Sequence, residues 1–223
     1  MNPEADLQRV WRRRVLLFLG AVLFVFVILP VGWQFVATLR QLDLVEADRD
    51  QWQRAGDVLT ALDLHAGSRV VDLGCGSGYF TLKLASAVGP TGSVVAEDIR
   101  RLPLVFLRVR TILRHDRNVD IVHGTADDPS LPAGIADAVL IANTYHELDH
   151  PAVILNAVRR ALKPAGRLVI LDRAPDATAE SHHIARGLVE AQVRAAGFDV
   201  VGRNDQFISA SGDRWWILIA RRP

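Results

Sequence analysis

The chain has 223 residues, half of them hydrophobic, which suits one ordinary domain with a sizeable core plus an appendage. Its formal net charge is +1, so although the isoelectric point lies near 8.0 there is no excess of either sign to attract a polyanion, and nucleic-acid binding gets no support. The single cysteine, Cys75, excludes an intramolecular disulfide and reads as a small side chain packed in a tight turn.

From Val15 to Trp33 the sequence VLLFLGAVLFVFVILPVGW carries no charge. As a helix, this run of about 19 residues at roughly 1.5 Å each nearly matches a bilayer core. Arg12, Arg13 and Arg14 abut one end, Trp33 sits near the far interface, and Pro30 falls where a break is tolerable. A retained transmembrane anchor is the expectation. A cleaved signal peptide competes with it, but the apolar run exceeds the roughly 7 to 15 residues usual there, and no A-x-A pattern follows. Arg9, Arg12, Arg13 and Arg14 outnumber Arg40 and Arg49 near the span, which by the positive-inside rule places the remainder of the chain outside the cytoplasm.

Between Thr38 and Arg54 the chain turns polar, and LRQLDLVEADRDQWQRAGDVLTALDL reads as a juxtamembrane linker running into an amphipathic helix. The expected organisation is a tail and anchor over 1–40, a linker and helix over 41–66, and a globular domain over 67–223.

After Gly67 short β-rich runs alternate with longer helical stretches. The strands read RVVDL, SVVAE, VDIVH, DAVLIAN and RLVILD. Helices are expected over about Tyr79 to Val88, Leu102 to Leu113, Pro151 to Leu162 and His183 to Ala196. Two last strands, FDVVGR and RWWILIAR, are joined by the polar segment NDQFISASGD and should pair antiparallel at or near an edge. The fold class is α/β, a Rossmann-like doubly wound, mostly parallel sheet. In such sheets ligands sit at the carboxyl ends of the strands, where Asp72 to Gly78, Asp98, Thr125 to Asp128, Asn143 to Glu147 and Asp172 fall.

The run VVDLGCGSGYF ends the first strand in Asp72 and breaks into Gly74, Gly76 and Gly78. Glycine lets a backbone bend sharply and approach a ligand. A dinucleotide fingerprint, G-x-G-x-x-G, would need glycine at position 79, which is Tyr79. An aspartate two residues before the first glycine also suits a cationic ligand group better than a pyrophosphate.

VVDLGCGSG resembles the first motif of the class I S-adenosylmethionine-dependent methyltransferases, hh(D/E)hGxGxG with h apolar. The segments GTADDPSLPAGIADAV, ALKPAGRLVILD, NTYHEL and QVRAAGF extend the likeness to a small bacterial branch with no assigned substrate, over roughly four-fifths of the chain counted from about Glu46. The second of these departs at Ala165, where glycine is commoner, with Gly166 expected to supply the turn. The resemblance implies S-adenosyl-L-methionine as cofactor. It gives Gly74, Cys75, Gly76 and Gly78 to the loop at its methionine and ribose parts, Asp72 to the methionine end, and Asp98 to the ribose hydroxyls, with Glu97 as neighbour on the opposite face. Thr125, Ala126 and Asp127 fall to the adenine, with Asp128 as fallback, and Asn143 joins them at the end of the fourth strand. Asp137, which heads that strand, is left outside the site.

His146 could take a proton from an acceptor hydroxyl, or it could bond a backbone carbonyl or pack on the cofactor. Tyr145 reads as a pocket wall or a second catalytic candidate, and Glu147 as a loop partner. His182 and His183 lack further ligands to complete a metal set and read as cap or lid residues. The expected acceptor is a small molecule or a lipid-like one, with no nucleic acid and no metal. S-adenosylmethionine is a cytoplasmic metabolite, so this chemistry favours a cytoplasmic domain against the arginine count. A nicotinamide oxidoreductase and a non-catalytic membrane-tethered module stand as alternatives.

Overall fold

The computed structural model describes residues 3–175, 184–210 and 213–223. Contacts divide the chain into two units, Met1–Asp48 and Arg49–Pro223.

The first unit is helical: α1 (Pro3–Leu23), a π-helical turn (Phe24–Ile28) and α2 (Leu29–Trp52), whose last turn enters the second unit. The turn has a cause in Pro30. A proline lacks the N–H that would bond four residues back and its ring crowds that carbonyl, here Phe26. The wider turn adjusts the ladder just before the proline, with the Leu29 N–H donating to the Phe24 carbonyl. Between Trp11 and Trp52 this helix is long and apolar enough to cross a membrane, with a most apolar stretch of mean hydropathy 2.9. The segment expected as a linker is helix through Trp52.

The second unit opens with α3 (Ala55–Leu62) and continues β1 (Arg69–Leu73), α4 (Tyr79–Val88), β2 (Ser93–Asp98), α5 (Arg101–Arg114), β3 (Val119–His123), β4 (Ala136–Ala142), a 3-10 turn (Tyr145–Glu147), α6 (Pro151–Ala161), β5 (Leu162–Arg173), α7 (Arg186–Ala195), β6 (Asp199–Ala210) and β7 (Asp213–Arg221). His182 and His183 lie outside the described residues. One seven-stranded sheet runs in the order β3-β2-β1-β4-β5-β7-β6. The first five strands are parallel, and β7 is antiparallel to both β5 and β6. Much of the polar stretch expected as a connector, through Ala210, is strand β6, its pairing interrupted by register shifts after Val200 and Asn204.

Central strands read as unbroken apolar runs because both faces are covered. Val70, Leu140 and Val169 point into one core with α3, α4 and α5. Val71, Ile141 and Ile170 point into the other with α6 and α7. Adjacent Trp215 and Trp216 therefore enter opposite cores, each 1% exposed. At the turn before the long part of β5 the left-handed residue is Ala165, φ 61°, rather than Gly166. Gly166 is needed for a different reason: a Cβ there would stand 2.9 Å from the Lys163 carbonyl oxygen.

The sheet order reverses between β1 and β4, which opens a crevice at their carboxyl ends.

Candidate functional site

The loop after β1 is tied to β2 by its backbone, the Gly74 and Cys75 N–H groups both donating to the Glu97 carbonyl at 2.9 Å. Its three glycines serve different needs. All have positive φ, but a Cβ on Gly74 would lie 2.2 Å from Thr144 Cγ2 and one on Gly78 2.5 Å from Leu107 Cδ1, whereas Gly76 has nothing within 4 Å. Gly74 and Gly78 are packed, whereas the space beside Gly76 is open, although neither Gly76 nor Gly78 lines the cleft. Asp98, 2% exposed at the end of β2, holds this loop: Oδ2 accepts the Gly76 N–H at 2.8 Å and Oδ1 the Arg100 N–H at 2.8 Å.

A cleft follows from these ends. Of the residues expected from sequence, Gly74, Asp98, Thr125 and Ala126 line it. It is completed by Glu97, Ile99, Pro129, Thr144, Glu147 and Leu148, among others. Sequence reading passed over Ile99 and Leu148 because an apolar residue just past a strand or turn carries no chemical signal of its own.

Several expected residues do not line it. Asp72 turns toward α4, where it accepts the Thr81 hydroxyl at 2.6 Å. Cys75 is buried, its thiol pushed to higher pKa chiefly by burial and then by the Asp72 charge. Asp127 is exposed and stands 2.5 Å from His150 Nδ1. Asn143 is left-handed, φ 55°, and its Oδ1 is buried without a partner. Asp128 folds the loop locally, its carbonyl accepting the Thr125 N–H at 2.8 Å. The main departure is Tyr145. Rather than walling the cleft, it is 1% exposed in the α6–α7 core, its hydroxyl donating to Gln192 at 2.8 Å, and burial raises its pKa away from any role as a base. The period of the 3-10 turn explains it: at three residues per turn Thr144 and Glu147 share the cleft face, and Tyr145 points about 120° away, into the core.

Glu97 and Asp98 line the cleft, and Asp72 is buried behind them. Asp72, Glu97 and Asp98 are each at most 3% exposed. Burial, offset in part by the Thr81 hydrogen bond, carries Asp72 up to about 6. Burial and then the Asp98 charge carry Glu97 up to about 8. Glu97 Oε1 is buried with no hydrogen-bond partner, packed at the point where Gly124 lacks a Cβ. Neighbouring Glu97 was expected on the opposite face, yet it lines the cleft alongside Asp98, because the cleft lies across the end of β2 and takes in residues from both faces.

Beyond β4, His146, the expected catalytic residue, sits on the 3-10 turn whose ends, Thr144 and Glu147, line the cleft, but it is not itself one of the lining residues. Its ring Nδ1 stands 2.8 Å from Asp172 Oδ1, and its backbone N–H donates to Asp172 Oδ2 at 3.1 Å. The carboxylate of Asp172, wholly buried in β5, raises the imidazole pKa above its usual value, against the effect of burial. Asp172 was visible at its strand end; its pairing with His146 was not.

Residues 71–170 match the family model described as "Methyltransferase domain". The ubiquinone/menaquinone biosynthesis C-methyltransferase UbiE of Pseudomonas fluorescens (strain Pf0-1) is 35% identical over 122 residues, covering 54% of this chain and 47% of that protein, so the match spans about half the relative's length. A SAM-dependent methyltransferase from Aquifex aeolicus shares the fold with a TM-score of 0.73 at 22% identity, covering 84% of this chain and 98% of that one. The [4+2]-cyclase SpnF shares it with a TM-score of 0.68 at 18% identity, covering 77% of this chain and 80% of that one. Residues 71–170 therefore match a methyltransferase domain, and the second unit carries the mixed seven-stranded sheet seen in solved S-adenosylmethionine-dependent methyltransferases.

The residues present fit S-adenosylmethionine. Gly76 leaves its face open, Glu97 Oε1 is an orphaned acceptor in the cleft, and buried carboxylates complement a cofactor with a sulfonium and an ammonium group.

Proposed function

We propose that the chain catalyses methyl transfer from S-adenosylmethionine to a small or lipid-like acceptor while anchored in a membrane by its N-terminal helix. The supporting observation is the pairing of an open glycine, Gly76, with a buried carboxylate, Asp98, beside a cleft lined by a second buried carboxyl, Glu97, whose Oε1 has no hydrogen-bond partner. Fold alone would not carry this reading, since a cyclase shares it.

When bound, the cofactor supplies a methyl group already activated on sulfur, so the protein's work is mainly alignment. Gly74 and Gly76 give the backbone close approach, Asp98 holds the loop and faces the ribose, and Thr125 and Ala126 line the adenine end. Asp72, Cys75, Gly78 and Asn143 act from behind, shaping the loop and strand ends; Asp127 is reserved for the adenine rim. His146 accepts the proton that the acceptor loses, at Nε2, with Asp172 fixing the ring through Nδ1. O-methylation and methylation of an electron-rich ring carbon both release such a proton. The relative named for ubiquinone and menaquinone biosynthesis supports a membrane-soluble, quinone-like acceptor.

Residues 1–40 are read as tail and anchor, 41–66 as the connection and 67–223 as the transfer domain, on the cytoplasmic side where the cofactor is made. Calorimetric titration with S-adenosylmethionine against NAD tests the cofactor, and incubation with the methyl-labelled cofactor plus membrane or cytosolic extract tests the acceptor. Binding of NAD alone, or tight cofactor binding with no label transferred to any fraction, would overturn the enzymatic reading. A reporter fused after Pro223 and assayed on both sides of the membrane decides the orientation.

A further inference from the structure

Helix α5 has two apolar stripes. Leu104, Leu107 and Thr111 face the sheet and are buried. Leu102, Val105, Phe106, Val109, Ile112 and Leu113 recur at helical spacing on the other side, and four of them are exposed: Leu102 by 66%, Val105 by 50%, Ile112 by 62% and Leu113 by 67%. Eight large apolar side chains are exposed among the described residues from Arg49 onward. Five of them, these four and Ile99, lie on α5 or just before it. A single exposed leucine means nothing; a continuous outward stripe on a helix already packed by its other face means a partner.

The charge pattern says which partner. Residues 99–115 contain five arginines and no acidic residue, in a chain whose net charge is only +1. Arg110 turns inward to the Ser77 carbonyl at 2.7 Å; Arg101 and Arg108 are exposed beside the apolar stripe, as are Arg100 and Arg114, which also pair with Asp98 at 3.4 Å and Asp116 at 2.8 Å. An apolar strip edged with guanidinium groups suits a phosphate-bearing lipid surface, where the aliphatic side chains enter the interface and each nearby arginine contributes about 1 kcal/mol against anionic lipid. A water-soluble acidic protein would match the arginines and leave the stripe unexplained.

Position agrees. The chain enters this unit at Arg49 and Asp50, and Asp50 bonds Tyr79 at 2.9 Å and Lys83 at 2.7 Å on α4, in the layer α4 shares with α5. Arg114 of α5 lines the same groove as Asp50. Ile99 and Arg100, which lead into α5, line the cleft.

We infer that the outward face of α5 is an interfacial surface that docks on anionic lipid, setting the mouth of the cleft at the bilayer where a membrane-dissolved acceptor can reach it. The inference deepens the membrane-anchored reading above and rests on it for the acceptor route.

The full chain carrying Leu113→Cys, labelled with an environment-sensitive fluorophore, tests this; Cys75 is buried and its thiol is poorly ionised, so the label goes to the new site. The protein is reconstituted in vesicles of phosphatidylcholine with phosphatidylglycerol and in phosphatidylcholine alone. Emission should shift to the blue in the anionic vesicles only, and the shift should vanish with Arg101→Glu plus Arg108→Glu. A label at Val153→Cys on α6, exposed on the opposite layer, should not move. Identical emission at position 113 in both vesicles sinks the inference, as does a blue shift in lipid-free detergent that grows with protein concentration, which would mean a second copy covers the stripe. Resistance to carbonate extraction reports the anchor separately, and calorimetric cofactor affinity reports the cleft, so failure of either is told apart from failure of this surface.

Discussion

Asp172, with no exposed surface, holds His146 at two points, the ring Nδ1 at 2.8 Å and the backbone N–H at 3.1 Å. A histidine gripped on one nitrogen by a buried carboxylate has a set tautomer and a set direction for its other nitrogen. That is the arrangement a proton acceptor needs beside a methyl-transfer cleft.

His146→Ala should therefore lower kcat by about 10²-fold or more with little change in cofactor affinity. The pH profile carries the sharper test. Neutral imidazole is the active form, and Asp172 raises the pKa above 6.5, so activity should climb on the alkaline side of that value. Asp172→Asn should move the limb downward in pH while cutting kcat. For stability the sign is opposite: the pair stabilises most below the unfolded pKa of 6.5 and loses that contribution as pH rises through the folded value. An unmoved limb in Asp172→Asn leaves the pair with a structural role only.

Asp98→Ala should weaken cofactor binding strongly in calorimetry while the fold persists. Two backbone donors, from Gly76 and Arg100, lose their acceptor, so a fall in stability of about 1–3 kcal/mol should accompany it. Unchanged affinity would remove Asp98 from the site.

Gly74→Ala and Gly76→Ala separate packing from approach. The first meets Thr144 at 2.2 Å and adopts φ 74°, so a loss of about 2–5 kcal/mol is expected in denaturant unfolding. The second meets nothing and carries only the φ 54° penalty, about 1–2 kcal/mol, but should lose cofactor affinity through the methyl placed in the open face.

Cofactor affinity should rise with pH across the range from about 6 to about 8. Asp72 and Glu97 have folded values near 6 and 8, and a cationic ligand favours their ionised forms, so binding releases protons. Calorimetry in buffers of different ionisation enthalpy measures that release. Both carboxyls bind more protons folded than unfolded between their ordinary values, 3.8 and 4.5, and those raised ones, so they make the free protein less stable as pH rises through these windows. Glu97→Gln should then stabilise the free protein at pH 8 by about 1 kcal/mol or more and flatten the affinity profile. A pH-independent affinity in the unaltered protein counts against this charge balance.

Ala165→Gly should raise stability by about 0.5–1 kcal/mol, because the residue stands at φ 61° and glycine takes that conformation without a clashing Cβ. Thermal unfolding checks it, and a lower Tm would mean the flexibility added to the unfolded chain outweighs the relief.

Much of this protein was decided along the chain itself. The strand–helix alternation, the glycine loop after Asp72 and the apolar run near the N-terminus are local patterns, set by period, backbone freedom and hydration of consecutive residues, and each is present in the structure as element, turn or helix. What tertiary structure decided were the pairings across distance. His146 meets Asp172 because β4 and β5 lie side by side in register; Tyr145 turns into the far core, and Glu97 comes to the cleft beside Asp98, because a side chain's direction at the end of a strand or on a tight turn depends on what packs against it. The outward stripe of α5 belongs to both: its spacing is written in the sequence, but only the sheet, by taking Leu104 and Leu107, leaves Leu102 and Leu113 in solvent.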